Sequence, residues 1–284
     1  MQVIELARVM PTSEAKELKN SKVTVKTVDS SLPLDFIAVD SVTKVPFAMY
    51  TNASIDETDA QRRAYHAYRK YFTGVMRSAG MKSLSSTFGF NAPAHQMQRI
   101  APSASTWARQ HPESHSTICN FAAGLSDILT ERGPQHAIDG NEAAKNSIHE
   151  DWRLGDTCYT SGIVNDTANL LYHYDRNNTP GTWSAMIVAR AGTRGGHLHI
   201  ADYDLTLPCK DGDLLYFPGM ELMHGVTPIT SSLKDGYRFS AVYYSVNKFV
   251  GVPSAKESLR KATKRQSEND DGLIERQKEI GLIK

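Results

Sequence analysis

NLLYHYDRNNTPGTWSAMIVARAGTRGGHLHIADYDLTLPCKDGDLLYFPGMELMHGVTPITSSLKDGYRFSAVYYSVN, residues 169–247, is the stretch that decides the fold. Short β-rich runs recur in it: Asn169–Tyr174, Thr182–Arg190, His197–Ala201, Asp204–Leu207, Asp213–Phe217, Gly225–Ile229 and Tyr237–Val246. Gly181, Gly195-Gly196, Lys210-Asp211-Gly212, Pro218-Gly219 and Asp235-Gly236 punctuate them with turn residues. Many short strands at close spacing predict a sandwich or a barrel.

Within this stretch, Tyr172-His173-Tyr174-Asp175 is the sharpest chemical feature. On a strand, alternation sends His173 and Asp175 to one face, about 7 Å apart by the ~3.3 Å rise per residue. An imidazole and a carboxylate so placed can share a metal ion, and His224 in Met223-His224-Gly225-Val226 is the best third ligand. Two histidines and a carboxylate on one face of the ion make the facial triad of non-haem Fe(II) oxygenases, with positions left open for 2-oxoglutarate and dioxygen. Arg238 follows His224 by 14 residues, and its planar fork suits the distal carboxylate of 2-oxoglutarate. Ser240 shares the face of Arg238 and adds a hydrogen bond, while Phe239 and Ala241 point the other way. Zinc chemistry would not require this arginine and serine. His197 and His199 form a competing same-face pair without a nearby arginine, and are ranked as groups around the site or on the surface.

Outward from this half, the text is mixed. Residues 1–50 hold short β-like runs, Lys22–Val28 and Phe36–Val39. A helix is expected from Ser54, where Ser54 and Glu57 have capping-box spacing, through Ala64, Tyr68, Tyr71, Phe72 and Val75, ending at Gly80. A second is expected over Pro112–Glu131, with Ile118, Phe121, Ala122, Leu125 and Leu129 on its apolar face. The tail from Ser254 is charged and helical in pattern, with few apolar residues (Leu259, Leu273, Ile274, Ile280, Leu282) to dock it.

The chain of 284 residues is long enough for one large domain. Its net charge of +1 announces no global field, although local basic stripes remain. Arg62-Arg63 and Arg69-Lys70, interleaved with Tyr65, His66, Tyr68 and Tyr71, make one such face, and Arg260-Lys261 with Lys264-Arg265 another. Cys119, Cys158 and Cys209 share no C-x-x-C spacing and read as buried thiols in a reducing compartment. No apolar run approaches the ~20 residues of a membrane span, and the opening MQVIELARVMPTSEAKELKN lacks the apolar stretch of a signal peptide. A soluble intracellular protein is the expectation.

On these motifs, with Gly195-Gly196-His197-Leu198-His199-Ile200, Asp211–Phe217 and His224–Pro228, the chain resembles the 2-oxoglutarate/Fe(II) dioxygenase superfamily over roughly residues 165–246. The resemblance implies an α+β protein: a double-stranded β-helix (jelly roll) core, N-terminal helices packed on the sheet, and a C-terminal helical tail. It implies one dioxygenase domain over 1–253, with 1–155 helical or mixed and 156–250 the β-helix core, followed by the tail 254–284.

Within the superfamily the chain most resembles the TET/JBP branch, bacteriophage type. The shared features are H-x-D-x-x-N (His173, Asp175, Asn178), R-x-S (Arg238, Ser240), Phe88-Gly89-Phe90 and Arg99. That branch oxidises the 5-methyl group of pyrimidines in DNA. The resemblance assigns His173, Asp175 and His224 to iron, and Arg238, Ser240 and Arg99 to 2-oxoglutarate. It assigns Asn178 and Tyr243 or Tyr244 to a base flipped out of the DNA. Alternation favours Tyr244, which shares the face of Arg238, and Tyr172 and Tyr174 supply further rings. The implied partner is DNA carrying a methylated pyrimidine, with 5-methylcytosine preferred over thymine on family grounds. A phage-encoded member would work in the host bacterial cytoplasm. Prolyl-hydroxylase-like chemistry on a protein or small molecule, and a non-enzymatic cupin-like binding protein, stay open as alternatives.

Overall fold

Alternation along Tyr237–Tyr244 divides the interior of the computed structural model, which describes residues 1–24, 26–53, 55–69, 73–76, 82–94 and 101–279. Phe239, Ala241 and Tyr243 enter a core shared with helices, and Tyr237 packs on its edge. Ser240, Val242 and Tyr244 face a cavity on the opposite side.

In chain order the elements are β1 (Gln2–Leu6), α1 (Thr12–Glu17), β2 (Phe36–Asp40), β3 (Pro46–Asn52), α2 (Ile55–Tyr68), β4 (Thr73–Met76), β5 (Lys82–Asn91) and β6 (Ser103–Ala104). Then come α3 (Thr106–Gln110), α4 (Pro112–Arg132), α5 (Gln135–Ser147), β7 (Ser161–Asp166), β8 (Ser184–Ala191), β9 (Thr193–Gly195), β10 (Leu198–Ile200) and β11 (Leu205–Leu207). The chain closes with β12 (Asp213–Phe217), β13 (His224–Val226), β14 (Ile229–Ser231), β15 (Tyr237–Tyr244) and α6 (Ala255–Glu279). A large sheet runs β1-β2-β3-β12-β8-β15-β7-β5-β4, with β6 on β5. A small sheet, β11-β10-β13, faces it across an apolar layer in which Leu198, Ile200 and Leu207 meet Met186, Val188, Leu215 and Phe217. This is the expected α+β jelly roll.

The other face of the large sheet is covered by helices, as expected. Ile118, Ala122, Leu125 and Leu129 recur at helical spacing on α4 and are all buried against it. Two tyrosines fasten α4 in place: Tyr243 donates its hydroxyl to the Ile118 carbonyl at 2.7 Å, and Tyr216 donates to the Leu125 carbonyl at 2.7 Å.

Several expectations need correcting. Asn169–Tyr174 is extended but joins no ladder beyond an isolated bridge between His173 and His224. Gly225–Ile229 is two strands in different sheets, parted at Thr227-Pro228, where the proline has no N–H to continue a ladder. None of the described residues of Lys22–Val28 is in a strand; Val23 instead packs beside Tyr172. The helix expected up to Gly80 is described only to Tyr68, and Val75 belongs to β4, where pairing with β5 overrides helical periodicity. Ser54, Lys70, Tyr71, Phe72, Gly80, Arg99, Ile280 and Leu282 lie outside the described residues, as do the side chains of Glu57, Leu273 and Ile274. No helix among the described residues is long and apolar enough to cross a membrane. The three cysteines are free thiols, with Cys158 and Cys209 buried.

Tyr216→Phe and Tyr243→Phe should each cost about 1 kcal/mol, because each α4 carbonyl keeps its helical partner and loses only the added bond. Urea denaturation of the two single variants and the double variant checks this.

Candidate active site

The site is built on backbone stitching. Tyr172 donates its N–H to Ser21 O at 3.0 Å and accepts from Asn20 N at 2.9 Å. One residue on, His173 and His224 exchange both backbone bonds, at 2.9 and 3.1 Å, so the two imidazoles leave adjacent points of one pair. Asp175 N then donates to Gly219 O at 2.9 Å, and a Cβ on Gly219 would run into the Asp175 carboxylate. Glycine is required there by close approach rather than by an unusual φ.

The expected triad converges. One ligand atom each from His173, Asp175 and His224 lie within 4.8 Å of one another. His173 Nε2 is 3.5 Å from Asp175 Oδ1, and His224 Nε2 is 3.7 Å from Asp175 Oδ2. Each Nδ1 is hydrogen-bonded to the carbonyl two residues earlier, His173 to Leu171 O at 2.8 Å and His224 to Leu222 O at 2.9 Å. Those bonds fix the tautomer and leave both Nε2 lone pairs free. Burial, followed by the neighbouring His173, pushes the His224 imidazole down to about 4, so it is neutral at pH 7. Phe217 sets its ring edge against His224, centroids 4.9 Å apart. Two imidazoles with free Nε2 lone pairs and one carboxylate fit Fe(II).

Arg238 is fully buried and lies one hydrogen bond behind the cavity, its Nη1 donating to Ser240 Oγ at 3.2 Å. Among the described residues its Nε and Nη2 donate to nothing. Buried guanidinium donors without acceptors are costly, and an anion could satisfy them there. The surroundings are already electropositive. Arg190 stands opposite Arg238 on β8 and is itself occupied by the carbonyls of Gly195, Cys209 and Thr193. Burial, then Arg190, Arg238 and Lys210, push the His197 imidazole down to about 4. Gly196, at φ +69, leaves room for the Arg238 stem: a Cβ there would sit 2.6 Å from its Cδ.

Between triad and sheet lies a cavity of about 580 Å³, lined by apolar Met186, Leu198, Phe217, Val226 and Val242 and by polar Asn165, Asn178, Ser240 and Tyr244. Tyr244 and Asn178 are therefore where they were expected. Tyr243 is not: its ring is wholly buried on the helix side, edge-on to Phe88, because odd positions of β15 face away from the cavity. Tyr172 turns its hydroxyl to His199 Nδ1 at 2.7 Å, and His199 Nε2 lies 3.0 Å from Asp204. His197 Nδ1 accepts from Cys209 N. Neither His197 nor His199 joins the metal cluster. On the basic face around α2, Arg62 bridges Asp59 and Asp211 and Arg69 is held by the buried Asp166, while Arg63 is exposed.

Three residues were not legible as functional. Asp202 is fully buried and accepts the Met223 N–H at 2.9 Å, which fixes the approach to His224. Ser184 accepts from Asn178 Nδ2 at 3.0 Å. Gly219 gives no signal beyond turn composition. Asp202 and Gly219 act through contacts distant in sequence, and Ser184 acts across the turn that follows Asn178.

In sequence the chain matches no family model and no curated protein. In structure it aligns with NgTET1 in complex with 5mC DNA over 89% of this chain and 96% of that one, with TM-score 0.60 and 16% identity. It shares its fold with that protein. Similar but looser superpositions are found with an oxidoreductase of the 2OG-Fe(II) oxygenase family from Burkholderia pseudomallei (TM-score 0.46, 10% identity, 72% and 88% covered). The viral collagen prolyl hydroxylase of Paramecium bursaria Chlorella virus-1 gives TM-score 0.40 at 14% identity, with 71% and 97% covered. In the TET-like fold of this chain, the H-x-D limb, β13 and β15 bring the three metal-binding candidates and Arg238 to one side of the large sheet.

Two predictions follow from this geometry. His224 and His197 are neutral in the fold but protonate near the usual ~6.5 in the unfolded chain. The unfolded state thus binds more protons as pH falls, and metal-free protein should lose stability from about pH 6.5 toward 4, by up to ~1.4 kcal/mol per pH unit for each group. Urea midpoints at pH 7, 6 and 5 test it, with His197→Asn expected to flatten the slope. Gly196→Ala should push Arg238 out of line and raise the half-saturating 2-oxoglutarate concentration roughly tenfold or more, equivalent to ~1.4 kcal/mol of lost anchoring, while metal affinity measured by equilibrium dialysis stays near wild type.

Proposed function

We propose that this protein is an Fe(II)- and 2-oxoglutarate-dependent dioxygenase that hydroxylates the 5-methyl group of 5-methylcytosine in DNA. The observation that carries the oxygenase reading is a buried arginine, two of its donors without a partner among the described residues, bonded to Ser240 on the wall of the cavity that a His-Asp-His cluster lines. A metal-binding protein without a keto-acid co-substrate has no use for that guanidinium.

In this reading His173, Asp175 and His224 hold the iron, and Arg238 with Ser240 grips the distal carboxylate of 2-oxoglutarate. When bound, the metal with 2-oxoglutarate and dioxygen supplies the oxidising power for inserting one oxygen atom into a C–H bond, with succinate and carbon dioxide as co-products. The chain does the rest. The carbonyls of Leu171 and Leu222 keep both imidazoles in the ligating tautomer. Met186, Leu198, Phe217 and Val226 line the cavity with apolar surface and keep its floor dry.

Asn178 supports cytosine over thymine. Its Nδ2 is engaged by Ser184, and among the described residues nothing donates to its Oδ1, which is left for a substrate. A carbonyl oxygen accepts from the 4-amino group of cytosine, whereas thymine presents an acceptor at that position. Tyr244 supplies a ring on the same side. The likeness in fold to a protein solved with 5mC DNA points the same way.

The test is incubation with Fe(II), 2-oxoglutarate and DNA containing either 5-methylcytosine or thymine only, then digestion to nucleosides and mass spectrometry. Gain of one oxygen on 5-methylcytosine is expected, and it should fall to background in Asp175→Ala. Arg238→Ala should raise the 2-oxoglutarate requirement by roughly ten- to a hundredfold, from the loss of ~1.5–3 kcal/mol of charge-assisted bonding. Succinate release without any oxidised base would overturn the substrate; no succinate under any condition would overturn the enzyme.

A further inference from the structure

Apart from the triad, the cavity lining among the described residues carries two charged side chains, and both are cations: Lys19 and Arg176. Both are exposed, and neither makes an ion pair or side-chain hydrogen bond among the described residues. Their exposed neighbours in the lining, Asn20 and Asn177, are uncharged amides.

Their positions are not incidental to the fold. Lys19 sits on the turn 18–21, where Leu18 O accepts from Ser21 N at 2.8 Å and Asn20 adopts φ 68. That turn is stitched to Tyr172 by the two backbone bonds already described, so Lys19 is anchored one residue from His173. Arg176 follows Asp175 directly, and its N–H is held by Tyr174 O at 3.0 Å. Each cation thus emerges from backbone fixed to one of the two ends of the H-x-D limb. By contrast, two of the arginines that the sequence offered for phosphate contact, Arg62 and Arg69, are paired with Asp59, Asp211 and Asp166, and Arg63 lies on α2 rather than on the cavity lining.

We propose that Lys19 and Arg176 are a phosphate clamp at the mouth of the cavity, gripping the backbone on either side of the nucleotide whose base enters it. This rests on the DNA reading and gives it a specific anchor. Cations standing at the edge of an otherwise uncharged cavity suit a substrate that is neutral where it reacts and anionic where it is held. A nucleotide within a strand has that character. An acidic peptide is the rival source of negative charge, and the experiment separates the two.

The experiment measures anaerobic binding of a fluorescent oligonucleotide carrying one 5-methylcytosine to the full chain loaded with Fe(II) and 2-oxoglutarate, by anisotropy over a series of KCl concentrations. Each lost phosphate contact reduces the slope of log K against log salt by roughly 0.7–0.9. Lys19→Gln and Arg176→Gln should each show that reduction, and the double variant about twice as much. Lys19→Arg and Arg176→Lys should keep the wild-type slope, which separates a charge contact from a structural role. Both side chains are exposed, and thermal melts of the same samples confirm that the fold is retained. Wild-type slopes in both glutamine variants would overturn the clamp while leaving the DNA reading intact. Failure of the wild-type protein to bind any oligonucleotide would overturn the DNA reading itself. Stronger displacement by polyglutamate than by an unlabelled oligonucleotide of equal charge would assign the cations to an acidic peptide instead.

Discussion

The reciprocal backbone pair between His173 and His224 is the constraint on which the site depends. It is a single rung of antiparallel pairing between segments that are otherwise in no common sheet. Through it, two imidazoles more than fifty positions apart in sequence leave the backbone side by side, ring centroids 4.4 Å apart. The limb that follows carries Asp175 to the Gly219 carbonyl, and the side opposite the ligands stays open. Asp202 secures the second strand of the rung by accepting the Met223 N–H, so a buried carboxylate with no ligand of its own governs where His224 points.

Electrostatics complete what the backbone begins. Burial holds His224 neutral, which is the form that binds a metal. Behind the cavity Arg238 and Arg190 stand opposite one another across two neighbouring strands, and His197 is kept neutral partly because both are cationic. Arg190 spends its donors on backbone carbonyls, and Arg238 keeps two in reserve. Two like charges so close are destabilising unless an anion enters.

The β-rich half was legible because its chemistry is local. The period-2 pattern of Tyr237–Tyr244 placed Arg238 and Ser240 on one face with Phe239 and Ala241 on the other, and the same alternation separated Tyr244 from Tyr243. Helix α4 was legible from its apolar spacing. What stayed hidden has a common cause. Strands β5 and β7 are rich in Ser, Gly and Asn, and they join the large sheet because of the neighbours it supplies, not because of their own composition. The H-x-D limb reads as a strand by composition, yet its hydrogen bonds go to Ser21, His224 and Gly219 rather than to a ladder. The basic face of α2 looked available until Asp166 and Asp211 arrived from elsewhere in the chain.

Sequence alone determined the identity of the donors: residue type and alternation are local, so two histidines, a carboxylate and an arginine with its serine could be named before any contact was known. Tertiary structure alone decided which of them meet and what each is free to do. The room beside Asp175 and Arg238 exists because Gly219 and Gly196 lack a Cβ. Two donors of Arg238 are buried without a partner among the described residues, which only the folded chain reveals. The free cations are those whose neighbours in space, not in sequence, carry no opposing charge. Such properties depend on packing between distant segments, which no local pattern encodes.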